Sequence, residues 1–272
     1  MSEKEIKDTI REVYTAIAET IPQKQEHNED EDLSDSCRGG CGGDCGGGCS
    51  CGGAFDPIEA ARQLGYADED LEAIPRESVL GLGCGNPVTL ASLKPGETVL
   101  DLGSGGGIDV FLASRKVGLS GKVIGVDINE AMIKRSIEAA AEYGYTNTAF
   151  KLGEIETLPI DDDSVDVIIS NCVINLSLDK SRVFHEAYRV LKSGGRLVVS
   201  DMVTVGGLPE DVRKNVEAWA SCISGAEEKN DYLSKIVDAG FTNVKIIQDT
   251  AYESDYENLN KKIHSISVEA RK

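Results

Sequence analysis

Eight cysteines are the residues of this 272-residue chain best suited to chemistry. Five of them, Cys37, Cys41, Cys45, Cys49 and Cys51, fall within CRGGCGGDCGGGCSC, where glycine fills most of the gaps. The other three, Cys84, Cys172 and Cys222, stand far apart. A thiolate is a nucleophile, a soft-metal ligand and half of a disulfide, so clustered thiols in a reducing compartment point to metal or redox work. General-base chemistry is poorly served by contrast. The three histidines are His27 in an acidic polar stretch, His264 near the C-terminus, and His185 beside Phe184 on a helix, where a structural or surface role fits best.

A second constellation lies in LDLGSGGGIDV. Gly103, Gly105 and Gly107 form G-x-G-x-G at the end of an apolar run. Without side chains there, the backbone can turn tightly and approach a ligand. A helix starting near Ile108 would aim free N–H groups and its positive dipole end at the same place. Asp127 closes the next apolar run, twenty residues past Gly107, where a carboxylate can accept both hydroxyls of a ribose. The nicotinamide fingerprint G-x-G-x-x-G fails because residue 108 is Ile, and no Walker lysine follows the glycines.

Over residues 75–205 the sequence resembles the class I S-adenosylmethionine-dependent methyltransferases. The resemblance implies a Rossmann-like α/β fold, a mostly parallel sheet with helices on both faces. It places Asp101, Gly103, Ser104, Gly105 and Gly107 around the methionyl part and ribose of S-adenosyl-L-methionine, with Asp127 and Ile128 at the ribose. GEIETLP resembles the family's adenine-binding segment: Gly153 opens it, Glu154 faces the exocyclic amine, and Ile155 offers its backbone N–H. Asn171 is expected beside the departing methyl, and Met132 either against the adenine or in the core.

Methyl transfer from a sulfonium needs a nucleophile held in line at near-attack distance. Oxygen and nitrogen acceptors often need a base as well. Cysteines, not histidines, occupy the relevant places: Cys172 follows Asn171 at the sheet's carboxyl edge, Cys84 lies in GLGCGNP before the first strand, and Cys222 lies in AWASCISGA after the fifth. Each alone reads as a small buried hydrophobe. Together, from three segments able to converge over one cleft, they suggest a thiophilic centre. Zinc usually takes four ligands when structural. Trivalent arsenic takes three sulfurs in a pyramid and keeps a lone pair, which is itself the nucleophile and needs no base.

These residues carry a closer resemblance. Cys84 in LGCGNP, Cys172 in SNCVINL and Cys222, together with LDLGSGGGIDVFLAS and GEIETLP, are similar to the arsenite S-adenosylmethionine methyltransferases over roughly residues 55–250. The resemblance implies that Cys172 and Cys222 hold arsenic throughout, with Cys84 as third ligand for the inorganic form. It also implies an N-terminal cysteine that pairs with Cys84. Five candidates are available, and Cys49 and Cys51 are favoured as nearest to the folded domain. Such a pair can return two electrons to arsenic by forming a disulfide, which a thioredoxin- or glutathione-type reductant reopens. Arsenite and methylarsenite are then the expected substrates. Two rivals stand beside this reading. A quinone- or sterol-type C-methyltransferase would share the cofactor motifs but leave Cys84 and Cys222 unexplained. A thiolate metal-sequestering protein would leave the cofactor motif without a use.

The elements that must position these groups are legible in outline. Residues 1–22 read as an amphipathic helix with Ile6, Ile10, Val13, Ala16 and Ile17 near helical spacing. Residues 23–53 form an acidic, then Cys/Gly-rich arm in which no packed structure is expected. Some fifteen flexible residues would reach roughly 20 Å. Residues 54–205 alternate strand-like runs, TVLDL, KVIGVD, AFKLG, VDVIIS and GRLVVSD, with helices such as SRVFHEAYRVL, whose Val183, Ala187 and Leu191 mark a buried face. That alternation is the sign of a parallel sheet covered on both sides. Residues 206–272 read as substrate-side helices around Trp219 and DYLSKIVDAG, then a small α+β extension with strand candidates NVKIIQ and SISVEA. A net charge of −19 argues against nucleic-acid partners. No run is long enough to cross a membrane and no leader is recognisable, so a cytoplasmic monomer is expected.

Overall fold

A computed structural model describes residues 3–20, 55–208, 212, 223–251 and 262–272. Helix α1 (Glu3–Thr20) comes first; the short helices α2 (Pro57–Gln63), α3 (Asp68–Glu72) and α4 (Pro87–Leu90) precede the sheet. Then follow β1 (Thr98–Leu102), α5 (Ile108–Val117), β2 (Lys122–Asp127), α6 (Glu130–Glu142), β3 (Thr148–Leu152), β4 (Val165–Asn171), α7 (Lys180–Val190) and β5 (Leu191–Thr204). The described chain closes with β6 (Glu227–Glu228), α8 (Lys229–Asp238), β7 (Thr242–Ala251) and β8 (Ile263–Arg271). None of the described helices is long and apolar enough to cross a membrane.

The strands form one sheet in the order β3-β2-β1-β4-β5-β8-β7, with β6 beside the end of β5. β1 to β5 pair in parallel, whereas β8 runs antiparallel to β5 and β7 antiparallel to β8. This is the Rossmann-like fold that the resemblance implied, on the parallel sheet that the strand–helix alternation signalled. Successive strand residues are apolar because both faces are covered. Val99 and Leu100 are both fully buried, one in the layer with Phe111 and Val198, the other in the layer with Phe184 and Leu197. The two C-terminal strand candidates extend this same sheet.

The winding direction reverses between β1 and β4, so their carboxyl ends splay open a crevice, the usual ligand position in such sheets. α1 packs across it. Its buried side carries Ile6, Ile10 and Ala18, with Tyr14 and Ile17 partly covered, whereas Val13 and Ala16 face out. The inner stripe thus follows a four-residue step from Ile6, which strands the expected Val13 and Ala16 on the solvent side. Asn129 fixes this docking: its side chain caps α6 by accepting from Ala131 N–H and donates to Arg11 O at 3.1 Å and Thr15 Oγ1 at 2.9 Å. Arg135 adds a bond of 2.8 Å to Ala18 O.

Candidate active site

The glycine turn is built to its purpose. Gly103, Gly105 and Gly107 all have left-handed backbones, with φ of 65°, 49° and 94°. A Cβ on Gly103 would lie 2.3 Å from the Val173 side chain, so no larger residue fits. Beside Gly105 an added Cβ would meet nothing within 4 Å, because that flank is open to the crevice. Gly105 N–H donates to Asp127 Oδ2 at 2.9 Å, and Asn129 N–H donates to Oδ1 at 2.8 Å. These bonds hold the carboxylate rigidly at the end of β2. Burial pushes Asp127 above the usual carboxylate range although backbone N–H groups pull the other way. Asp101 is raised well above that range, first by burial and then by the charges of Asp109 and Asp127.

Above this turn lies a cavity of about 250 Å³, lined by Asp101, Gly105, Asp127, Asn171 and Cys172 and roofed by Ile10 and Tyr14 of α1. Gly103, Ser104 and Ile128 line it too. Gly107 caps α5 beneath. A smaller adjoining cavity of about 60 Å³ is bounded by Gly153, Glu154 and Ile155. Glu154 is engaged by α1, with Lys7 Nζ at 3.0 Å and Arg11 Nη2 at 3.7 Å. Met132 sits in a core cluster with Ala18 and Leu80 and is in the lining of neither cavity, the second of its two expected positions.

Cys172 lines the larger cavity, and the loop that carries Cys84 borders it through Gly81 to Gly83. Gly81 and Gly83, with φ of 67° and 125°, turn the chain before Cys84. The Asn171 amide then clamps the loop: Cys84 N–H donates to Asn171 Oδ1 at 2.9 Å, and Asn171 Nδ2 donates to Gly85 O at 2.8 Å. The same amide reaches Tyr66 Oη at 3.0 Å, and Tyr66 donates to Asp109 at 2.7 Å. Asn171 therefore works as the strut of the Cys84 loop as well as lining the cavity. Cys172 itself has φ 61°, rare for a residue with a side chain, and its N–H is held by Ser200 O at 2.8 Å. The consequence is convergence: the sulfurs of Cys84 and Cys172 and a carboxylate oxygen of Asp201 all lie within 4.8 Å of one another.

Asp201 was not singled out from the sequence. It is 1% exposed on β5, accepts from Tyr232 Oη at 3.0 Å and from Met202 N–H at 3.0 Å, and is pushed up to about 7, chiefly by burial and against the pull of Lys180. Asp109 was also missed. It is raised to about 6 by burial, with hydrogen bonds from Tyr66 and Asn171 opposing. An acid closing GRLVVSD was visible as a parallel to Asp127 closing KVIGVD; nothing marked Asp109 within its helix. Cys222, Cys49 and Cys51, like Cys37, Cys41 and Cys45, lie outside the described residues. Ile223, bonded to Cys222, is buried in the apolar cluster that holds Cys172 and abuts Cys84.

Residues 93–250 match the family model described as a methyltransferase domain. The chain is 39% identical to an arsenite methyltransferase of Halobacterium salinarum over 275 residues, 99% of this chain and 67% of that protein. It is 40% identical to an arsenite methyltransferase of Aquipseudomonas alcaligenes over 182 residues, 64% of this chain but only 52% of the relative. Among solved structures, CrArsM, an arsenic(III) S-adenosylmethionine methyltransferase from Chlamydomonas reinhardtii, superposes with a TM-score of 0.65 at 35% identity, covering 78% of this chain and 73% of that one. The chain thus spans 67% and 52% of the lengths of these two curated relatives. Near-complete coverage of this chain at that identity, on the same fold, identifies it as a member of the arsenite methyltransferase family of S-adenosylmethionine-dependent methyltransferases.

Proposed function

We propose that this methyltransferase acts on trivalent arsenic, taking arsenite and then methylarsenite as substrates, with Cys84, Cys172 and Cys222 as the arsenic ligands. The observation that carries the reading is the meeting of Cys84 and Cys172 beside the cofactor cavity, from loops more than eighty residues apart. The packing of Ile223 in the same cluster supports Cys222 as the third thiol.

The residues present fit S-adenosylmethionine. The open flank of Gly105, the rigid Asp127 carboxylate and the cavity leading to Cys172 suit a nucleoside with a sulfur-bearing tail. When bound, the cofactor supplies an electrophilic methyl on a sulfonium, which a lone pair takes without prior deprotonation. Asp101, Asp127 and the glycine turn would hold it, while Ile10 and Tyr14 exclude water from above. Glu154 would steady the roof through Lys7 and Arg11 and present its remaining acceptor capacity to the smaller cavity.

Arsenite arrives with three hydroxides, and each thiol that binds returns a proton so that the hydroxide departs as water. No external base is consumed. The lone pair left on arsenic is the nucleophile, and its donation leaves the arsenic formally pentavalent. Two electrons must return: the Cys49 or Cys51 thiol attacks the arsenic-bound Cys84 sulfur, the S–As bond breaks with its electron pair left on arsenic, and the new Cys84 disulfide forms with release of one proton. A thioredoxin- or glutathione-type reductant then reopens that bond.

The test is mass spectrometry of the products formed from full-length protein, S-adenosylmethionine, arsenite and a thiol. Methylated arsenic is expected, and none from Cys172→Ser or Cys222→Ser on any arsenic substrate. Cys84→Ser should lose arsenite but keep single-turnover methyl transfer to methylarsenite, which needs only two sulfurs. Equal loss on both substrates would contradict that division of labour. Absence of methylated arsenic with unmutated protein would end the reading altogether.

A further inference from the structure

The methyl-transfer reading leaves Asp201 without a task, although one of its carboxylate oxygens shares a small space with the two sulfurs. All three donor atoms lie within 4.8 Å, so they need close by only about 1 Å to reach the roughly 3.5–3.8 Å separations of a tetrahedral shell with Zn–S near 2.3 Å and Zn–O near 2.0–2.2 Å. The carboxylate is aimed, not loose. Tyr232 Oη engages Oδ2 and Met202 N–H engages Oδ1, each at 3.0 Å, and the Asn175 backbone adds a further bond; a carboxylate has about four acceptor sites, so capacity for a cation is left. Two thiolates and a carboxylate suit a borderline-soft dication, and three protein donors with an open fourth position is the arrangement of reactive zinc sites. Lys180, 3% exposed and near enough to act on Asp201, helps offset the excess negative charge.

We propose that Cys84, Cys172 and Asp201 form a sulfur–oxygen site that holds a zinc-class divalent cation in the resting protein, and that arsenite must displace it. Arsenic(III) prefers three sulfurs, so the oxygen ligand serves the cation and not the substrate. Displacement balances simply. The cation leaves hydrated, and the two freed thiolates and the Cys222 thiol replace three hydroxides on arsenic. One hydroxide departs with the Cys222 proton, and the other two take protons from solvent. The displacement half rests on the arsenic reading above; the cation site does not.

The experiment uses the full chain with Cys37, Cys41, Cys45, Cys49 and Cys51 changed to serine, so that the arm contributes no thiolate. Co²⁺ is the spectroscopic probe and Zn²⁺ its competitor. One equivalent of Co²⁺ should bind with thiolate charge-transfer and tetrahedral ligand-field bands, and Zn²⁺ should bleach them. Cys172→Ser should abolish the bands, and Asp201→Asn should weaken binding about tenfold or more while arsenite affinity changes far less. X-ray absorption of the Zn²⁺-loaded protein, which needs no Asp201 variant to fold, should give two sulfurs and the rest oxygen. Three or more sulfurs, unchanged Co²⁺ affinity in Asp201→Asn, or no binding without the arm thiols would each overturn the site. Arsenite that leaves the bands intact would overturn the displacement. Because these readouts involve no methyl transfer, failure of the arsenic reading would show separately, in the product analysis.

Discussion

Cys172 holds its sulfur in place at a backbone cost. A left-handed φ of 61° is paid by a residue with a Cβ, roughly 1–2 kcal/mol for an L-residue. Replacing it tests this directly: both Cys172→Gly and Cys172→Ala should be inactive, but the glycine variant should unfold at higher denaturant, more stable than the alanine by about 1 kcal/mol. Equal midpoints would mean that the strain is absent. Asp109 gives a pH signature. Its folded value of about 6 lies above the ordinary 3.8, so between these values the folded protein binds more protons than the unfolded chain. Its ionisation therefore removes stability as pH rises from about 4 to 6, on the order of 2 kcal/mol. Asp109→Asn should gain on the parent by that amount over the same window in urea titrations, and parallel pH curves would refute the assignment. Cys84, Cys172, Asp101 and Asp127 were legible because each sits in a short motif, Cys84 in a glycine-rich loop and the other three at or beside a strand's carboxyl end. Asp109 and Tyr66 belong to the site only through contacts spanning tens of residues, which no local spacing records; Asp201 shares with Asp127 a place late in an apolar run, but its approach to the thiols needed the fold.

Among the elements, α1 is the one whose place the sequence left open. A charged amphipathic helix at the start of the chain was legible, but its destination was not, because Val13 and Ala16 blurred the stripe that Ile6, Ile10 and Tyr14 define. Its inner side forms the roof of both cavities, with Ile10 lining each. Ile10→Ala should therefore weaken S-adenosylmethionine binding about tenfold or more by isothermal titration, since removing a buried isoleucine costs about 2–5 kcal/mol where the site cannot collapse. Arsenite binding to the thiols should be unaffected; a variant with full cofactor affinity would show the roof to be incidental. The parallel strands were readable as apolar runs broken by helices. That β8 returns antiparallel beside β5 was not, since partner choice is set by the whole sheet. The pairing matters for the site: Ser265 on β8 donates to Cys84 O at 2.6 Å, so the last strand braces the first cysteine loop.

At the scale of the molecule, one sheet is the base on which loops and helices assemble the site, and its winding switch between β1 and β4 sets where the cofactor crevice opens. The doubly wound plan was evident from the alternation; the meeting point needed the topology. The cysteine-rich stretch then acquires a different meaning from the two places where it is attached. α1 ends against α6, where Arg135 grips Ala18, and the chain resumes at Phe55, whose ring lies where a Cβ on Gly81 would touch it at 2.9 Å. Ala18 packs with Leu80 and Phe55 lies beside Gly81, and both Leu80 and Gly81 line the larger cavity. Whatever path residues 21–54 take, their thiols are leashed at two ends, and tethering of that kind corresponds to effective concentrations on the order of millimolar. Electron return should then be a first-order property of each molecule: diluting the enzyme a hundredfold should leave the single-turnover rate unchanged, whereas one proteolytic cut within residues 23–36 should slow it by untying one end.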